Sequence, residues 1–293
     1  MKRKTLKELN LIDDFLMNCI AVDPEVAEPC FKRILSVLLQ RDIGSVHVVA
    51  QPIIPGCDTD LRGIRLDVEV EETKSSSGEN TIANIYDIEP HTRRDTHFPR
   101  HNRFYQAKID GRRLKSGVKD FSLLPNLYVI TITNFDVFGE DYMMYSFRNH
   151  CEELPHLEYD DGLYYVYFNT TGKKGGSQAI KNMLNYIQKS VEENVADEAT
   201  GEIDRYVKHV KSKPELEEGV MTLGDYFDQE RLDAKIEDIL ELLEETGPVP
   251  EHISNRLRDI NDPEELSRLL KISAHVESIE DFEAAMNKQV VSV

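Results

Sequence analysis

The sequence predicts an α/β protein: helices open the chain, strands interrupted by one helix follow, and an all-α region closes it. Three observations carry this expectation. Segments 64–70 and 85–91 alternate apolar and charged residues with a period of two, and Leu127–Thr133 is an unbroken run of strand formers. Beyond Gly172-Lys173-Lys174-Gly175-Gly176 strand patterning disappears and the composition turns acidic and helical.

In chain order, Leu11–Met17 begins a first helix. A second starts at Asp23-Pro24-Glu25, where Asp23 can cap and Pro24 suits the first turn, and it carries Phe31, Ile34, Leu35, Leu38 and Leu39 on one stripe. Val46–Ile54 reads as a strand ended by Pro55-Gly56. In the next strand Ile64, Leu66, Val68 and Val70 alternate with Arg65, Asp67 and Glu69; in the one after, Tyr86 and Ile88 alternate with Asp87, Glu89 and His91. The polar stretch Glu71–Asn80 reads as the hairpin loop between them. Antiparallel pairing then holds Asp67 and Glu89 on one face, within reach of a shared divalent cation, with Asp87 on the same face and solvated. Arg100–Leu114 follows as a helix with Phe104, Ala107 and Leu114 facing inward, then strands at 127–133, 142–148 and 163–169. The aromatic run Tyr164–Phe168 reads as sheet core.

The closing region has helical segments at 181–193, 198–211 and 226–245. In the last of these Leu232, Ile236, Ile239, Leu240 and Leu243 form a stripe that Gly247-Pro248-Val249-Pro250 ends. Two short capped helices enter at Asp262-Pro263 and Ser278. The expected division is therefore 1–175 for the α/β part and 176–293 for an acidic helical region.

Composition bounds the function. At 293 residues, 40% apolar and 30% charged, the chain has room for a substantial core. No apolar run approaches the roughly 20 residues of a membrane span, and Met1-Lys2-Arg3-Lys4 leads into no signal-peptide core, so a cytoplasmic protein without membrane contact is expected. Cys19, Cys30, Cys57 and Cys151 have no paired CxxC spacing and read as reduced thiols rather than zinc ligands. No P-loop, GxSxG or dinucleotide fingerprint occurs. The net charge of −19 is uneven: residues 151–293 hold 15 Lys and Arg against 32 Asp and Glu, whereas residues 93–119 hold nine basic residues against two acidic ones. A local excess of this kind is compatible with phosphate binding. Within it, Arg93, Arg94, Arg112 and Arg113 are candidate phosphate contacts, and His97 and His101 flank the carboxylate pair.

Arg65-Leu66-Asp67-Val68, Tyr86-Asp87-Ile88-Glu89-Pro90-His91 and Arg103-Phe104-Tyr105-Gln106-Ala107-Lys108-Ile109-Asp110, with Leu114 and Gly117, resemble the recombination-promoting nuclease / putative transposase family of the PD-(D/E)XK nuclease superfamily. Gln51 and the Leu127–Phe135 strand fit the same order, over roughly residues 11–170. The resemblance implies a PD-(D/E)XK-like central mixed sheet flanked by helices and a bacterial, Mg²⁺-dependent (or Mn²⁺-dependent) DNA endonuclease. It places Asp67 and Glu89 as metal-binding acids, the carbonyl of Pro90 as a further ligand, and His91 where the superfamily has Lys and this family commonly Gln. Pro90 is expected on a sheet edge, where its missing N–H is tolerated. Arg103, Tyr105 and Gln106 fall in a motif position suited to DNA contact, beside Arg112 and Arg113. Hydrolysis of a phosphodiester calls for this set: oxygen ligands for a hard cation, and a group able to accept a proton from water. Three readings follow: a nuclease of recombination or mobile elements; a nuclease-fold DNA- or protein-binding module whose Glu-Pro-His motif has lost activity; or a phage-defence effector nuclease. The acidic C-terminal helices are expected to restrain DNA access or to meet a second copy or a partner protein.

Overall fold

The computed structural model describes residues 5–54, 64–76, 79–94, 97–114, 117–214, 216, 232, 235–244, 246–260, 262–276 and 278–286. Contacts divide the chain into two units, residues 2–217 and residues 218–293 with Met1. The first is a mixed α/β unit. Its elements run α1 (Asp14–Ala21), α2 (Ala27–Leu39), β1 (Ser45–Ala50), β2 (Ile53–Ile54), β3 (Ile64–Arg65), β4 (Val68–Ser76), β5 (Glu79–His91), α3 (Phe98–Gly111), β6 (Asn126–Thr133), β7 (Met144–Phe147), β8 (Leu163–Asn169), α4 (Gln178–Gln188) and α5 (Glu198–Lys211).

Six strands form one mixed sheet in the order β1-β4-β5-β6-β8-β7, and β2 pairs with β3 separately. β1, β4 and β5 are antiparallel neighbours, β5, β6 and β8 are parallel, and β7 returns antiparallel on β8. The parallel β5–β6 step needs a crossover, which α3 supplies. Tyr105 and Ile109 of α3 pack on Ile85, Leu127 and Val129, so this helix covers the face that also carries Asp87 and Glu89. The opposite face presents Val68, Val70, Tyr86, Ile88, Ile130 and Phe168, all buried, toward the helices α1, α2, α4 and α5, which pack on one another. Helices α4 and α5 therefore lie within the first unit, and its described part continues well past the Gly175-Gly176 turn where strand patterning ends.

Several local expectations change. Most of the stretch expected to be a hairpin loop at 71–80 is strand: β4 continues to Ser76 and β5 starts at Glu79, with a register shift between Glu72 and Thr73. Cross-strand pairing carries this polar stretch although it lacks apolar alternation. The single strand expected over 46–54 breaks at Gln51, which adopts a left-handed backbone (φ 47°) between β1 and β2. On α3 the inward residues are Phe98, Asn102, Tyr105 and Ile109, at helical spacing, while Phe104 and Ala107 point to solvent. Pro90 lies in an interior strand and not at a sheet edge; it is tolerated because the β4–β5 ladder stops at Val68↔Ile88, two pairs short of it. Cys57 falls outside the described residues. Cys19 and Cys30 are buried free thiols that burial pushes up, Cys19 to about 11, so both stay protonated.

The second unit is helical: α6 (described over 235–244), α7 (Glu251–Arg258), α8 (Pro263–Ser273) and α9 (Ile279–Met286). Asp262 and Ser278 accept hydrogen bonds from the Glu264 and Asp281 N–H groups, as their sequence context predicts. Leu232, Ile236, Ile239 and Leu243 pack with Ile253, Leu257, Leu266, Leu269, Phe282 and Met286, so the stripe expected to meet another chain is used inside the unit's own core. Among the described residues no helix is long and apolar enough to cross a membrane.

One buried polar knot ties the first unit together. Glu72 accepts hydrogen bonds from the Gly44 N–H (2.6 Å), Asn84 Nδ2 (2.7 Å), Arg41 (3.2 Å) and the Tyr86 hydroxyl. Burial pushes its carboxyl upward, but the donors and the Arg41 charge outweigh it and hold the group below the usual carboxylate range. A lowered folded value stabilises fully above the ordinary carboxylate pKa and is lost as pH falls through the folded one. Glu72→Ala should therefore cost roughly 2–3 kcal/mol in urea unfolding at pH 7, and the deficit should shrink below about pH 4. A deficit that is constant from pH 7 to pH 3 would assign the cost to packing alone.

Candidate active site

The register of β4 against β5 builds the site. Glu69 lies opposite Asp87, and continuing the same register sets Asp67 opposite Glu89. The Asp67 N–H donates to Glu89 Oε1 at 3.0 Å, while the Asp67 carbonyl accepts from the Gln51 N–H at 2.9 Å. Five carboxylates thus share one sheet face: Asp67, Glu69, Glu71, Asp87 and Glu89. Three are buried: Asp87 is 0%, Glu69 1% and Glu89 3% exposed, while Asp67 is half-buried. Asp87 is thus not solvated, contrary to the sequence expectation; α3 and the sheet seal it. Alternation alone fixed the face it points to, but the covering helix fixed its burial.

Counter-charge reaches only part of this row. Arg113 donates to Glu69 Oε1 and Glu71 Oε1, both at 2.6 Å, and Arg112 pairs with the other Glu69 oxygen. The two arginines just past α3 are therefore spent on β4. Neither oxygen of Asp87 accepts from a backbone N–H or a basic side chain; its carboxyl lies against that of Glu89. Burial first, then the charges of Glu69 and Asp67, push the Asp87 carboxyl well above its ordinary value; burial first, then Asp87 and Asp67, do the same for Glu89. Two buried carboxylates this close hold a proton between them, or need a cation.

The remaining expected residues surround this cluster. His91 is half-buried at the end of β5, its ring 4.8 Å from Phe98 and 5.8 Å from His101 between centroids. Tyr105 packs on His101 (4.0 Å) and does not face solvent freely, Gln106 donates to Asp110, and Arg103 is exposed. Two residues absent from the sequence reading join them. Thr131 of β6 is in register with Glu89, and buried Asn102 of α3 donates to its hydroxyl at 2.8 Å. An Asn inside an otherwise polar helix gives no sequence signal; only the crossover places it.

The donor set fits a hard divalent cation in kind: the carboxylate oxygens of Asp67, Glu89 and buried Asp87. Among the described residues no three His, Cys, Asp or Glu side chains converge as a ready cage. A cation here would be held by Asp67 and Glu89 with water completing its shell. No family model, no curated protein and no solved structure matches the chain.

The raised carboxyls make a pH prediction. A folded value above the unfolded one gives stability that is fully present below the ordinary carboxylate pKa and lost as pH rises through the folded value. Asp87→Asn removes this loss and gives Glu89 an amide donor. In EDTA it should raise unfolding stability by about 1–3 kcal/mol at pH 8 and by nothing near pH 3, measured by urea melts. A pH-independent loss of stability would show that the Asp87 oxygens are already satisfied.

Proposed function

We propose that residues 2–217 form a metal-dependent DNA endonuclease of the PD-(D/E)XK type, with Asp67 and Glu89 as the principal ligands for Mg²⁺ or Mn²⁺ and the Pro90 carbonyl beside them. The observation that carries this reading is the meeting of Asp67 and Glu89 where β4 and β5 pair, joined by the Asp67 N–H, next to buried Asp87 oxygens that no basic side chain or backbone N–H donates to. A cation bound there supplies Lewis-acid activation of water and offsets charge on the attacked phosphoryl group. His91, two residues along the same face, has a ring nitrogen able to accept a proton from that water. Phe98 and His101 set the plane of its ring. Asn102 holds the Thr131 hydroxyl on β6, in register with Glu89.

A specific observation favours a second reading, a nuclease-fold binding module without cleavage. Glu89 is 3% exposed beneath α3, so substrate reaches it only if the helix or the Asp67 side opens.

The two readings separate in one assay. The full chain, incubated with supercoiled plasmid and Mg²⁺ or Mn²⁺, should nick it, and an Asp67→Ala/Glu89→Ala protein should not. His91→Ala should slow nicking by about 10²–10⁴-fold with DNA affinity kept, and His91→Lys should restore part of the rate. No nicking by the unaltered protein, or equal nicking by the double variant, would favour the binding module.

A further inference from the structure

The solvent face of α3 is built differently from its two ends. Arg100, Arg103 and Lys108 lie on exposed or half-exposed positions and, among the described residues, make no ion pair. The arginines that follow the helix, by contrast, are held by Glu69 and Glu71. The acidic residue of this helix, Asp110, is half-buried and engaged by Gln106. Between the free cations sits Phe104, 37% exposed, with the Lys108 ammonium 5.5 Å from its ring centroid. Phe104 is not among the buried core residues, and more than a third of its surface is open to solvent. Positions 100, 103, 104 and 108 follow the i, i+3, i+4, i+8 spacing of one helix face, a span of about 12 Å at 1.5 Å per residue. Unpaired cations interleaved with an exposed aromatic ring are what a single polynucleotide strand requires: charge for its phosphates and a face for an unpaired base.

We propose that this face of α3 is a track for single-stranded DNA, with Arg100, Arg103 and Lys108 on phosphates and Phe104 stacking an unpaired base. The proposal deepens the endonuclease reading by giving its substrate an unpaired stretch beside the site. Arg100, at the start of the track, neighbours His101, whose ring lies 5.8 Å from that of His91 at the end of β5, so the track's N-terminal end is the end nearest the site. It also reassigns the DNA contacts: Arg103 stays, Arg112 and Arg113 act inside the fold, and Tyr105 and Gln106 support the helix.

Fluorescence anisotropy on the full chain in EDTA, with a single-stranded oligonucleotide and a duplex of the same length, tests this without cleavage. Phe104→Ala should weaken single-strand binding about tenfold and duplex binding less than about twofold, and Phe104→Trp should restore the single-strand affinity. Arg100→Ala/Arg103→Ala/Lys108→Ala should flatten the slope of log affinity against log salt by about 2 for the single strand. Unaltered melting temperatures would verify folding, as expected for exposed side chains. A Phe104→Ala protein that binds both oligonucleotides as the unaltered chain does, or weakens for both equally, would overturn the proposal, as would an unchanged salt slope in the triple variant. Loss of nicking alone, with the Phe104 effect intact, would remove the endonuclease reading and leave the track standing.

Discussion

The first unit depends on a constraint that ordinary sheets avoid: like charges placed directly across two neighbouring strands and then buried. Glu69 faces Asp87, and Asp67 stands next in line with Glu89. Such pairs are destabilising even on an exposed face; in a dry interior they must be neutralised by cations, hydrogen-bond donors or protons. The protein meets half of the demand. Arg112 and Arg113, carried back over the sheet by the β5–α3–β6 crossover, neutralise Glu69 and Glu71, and the Asp67 N–H serves one oxygen of Glu89. Asp87 takes no hydrogen bond from a backbone N–H or a basic side chain; it meets the Glu89 carboxyl, and the Arg112 charge offsets its burial only in part. The electrostatic deficit is thus localised at one end of the row, the end that carries His91.

Contrast with the other buried acid shows that the deficit is a property of this site and not of the sheet. Glu72, on the same strand but the opposite face, collects four donors and stays ionised despite its burial. The fold can thus satisfy a buried carboxylate fully with donors of its own. Asp87 and Glu89, a few residues along the paired strand, are left with their carboxyls raised. Functional sites are where such unsatisfied groups concentrate.

Much of this was legible in the sequence wherever a period of two or of 3.6 was strong. Leu163–Asn169 and Glu198–Lys211 have the bounds that the pattern gives, and the alternation around Asp67 and Glu89 put both acids on one face. What failed were features set by partners distant in the chain. Asp87 reads as solvated until α3 is laid over it. Phe104 reads as core because aromatic residues usually are, yet the helix turns Asn102 inward to meet Thr131 instead. The polar hairpin 71–80 lacks the apolar alternation that marks a half-buried strand, and its strand character comes from pairing alone. Arg112 and Arg113 look like phosphate contacts by clustering, but the carboxylates that claim them lie more than forty residues earlier.

The proposal to test first is that Asp67, Glu89 and the carboxyls beside them hold one divalent cation. Titration of the full chain with Mn²⁺, followed by the loss of free-ion electron paramagnetic resonance signal, measures it directly and needs no substrate. One bound ion per chain, lost in Asp67→Ala/Glu89→Ala and competed by Mg²⁺, is the predicted result. Full free-ion signal at every Mn²⁺ concentration, or binding that the double substitution leaves unchanged, would contradict the account.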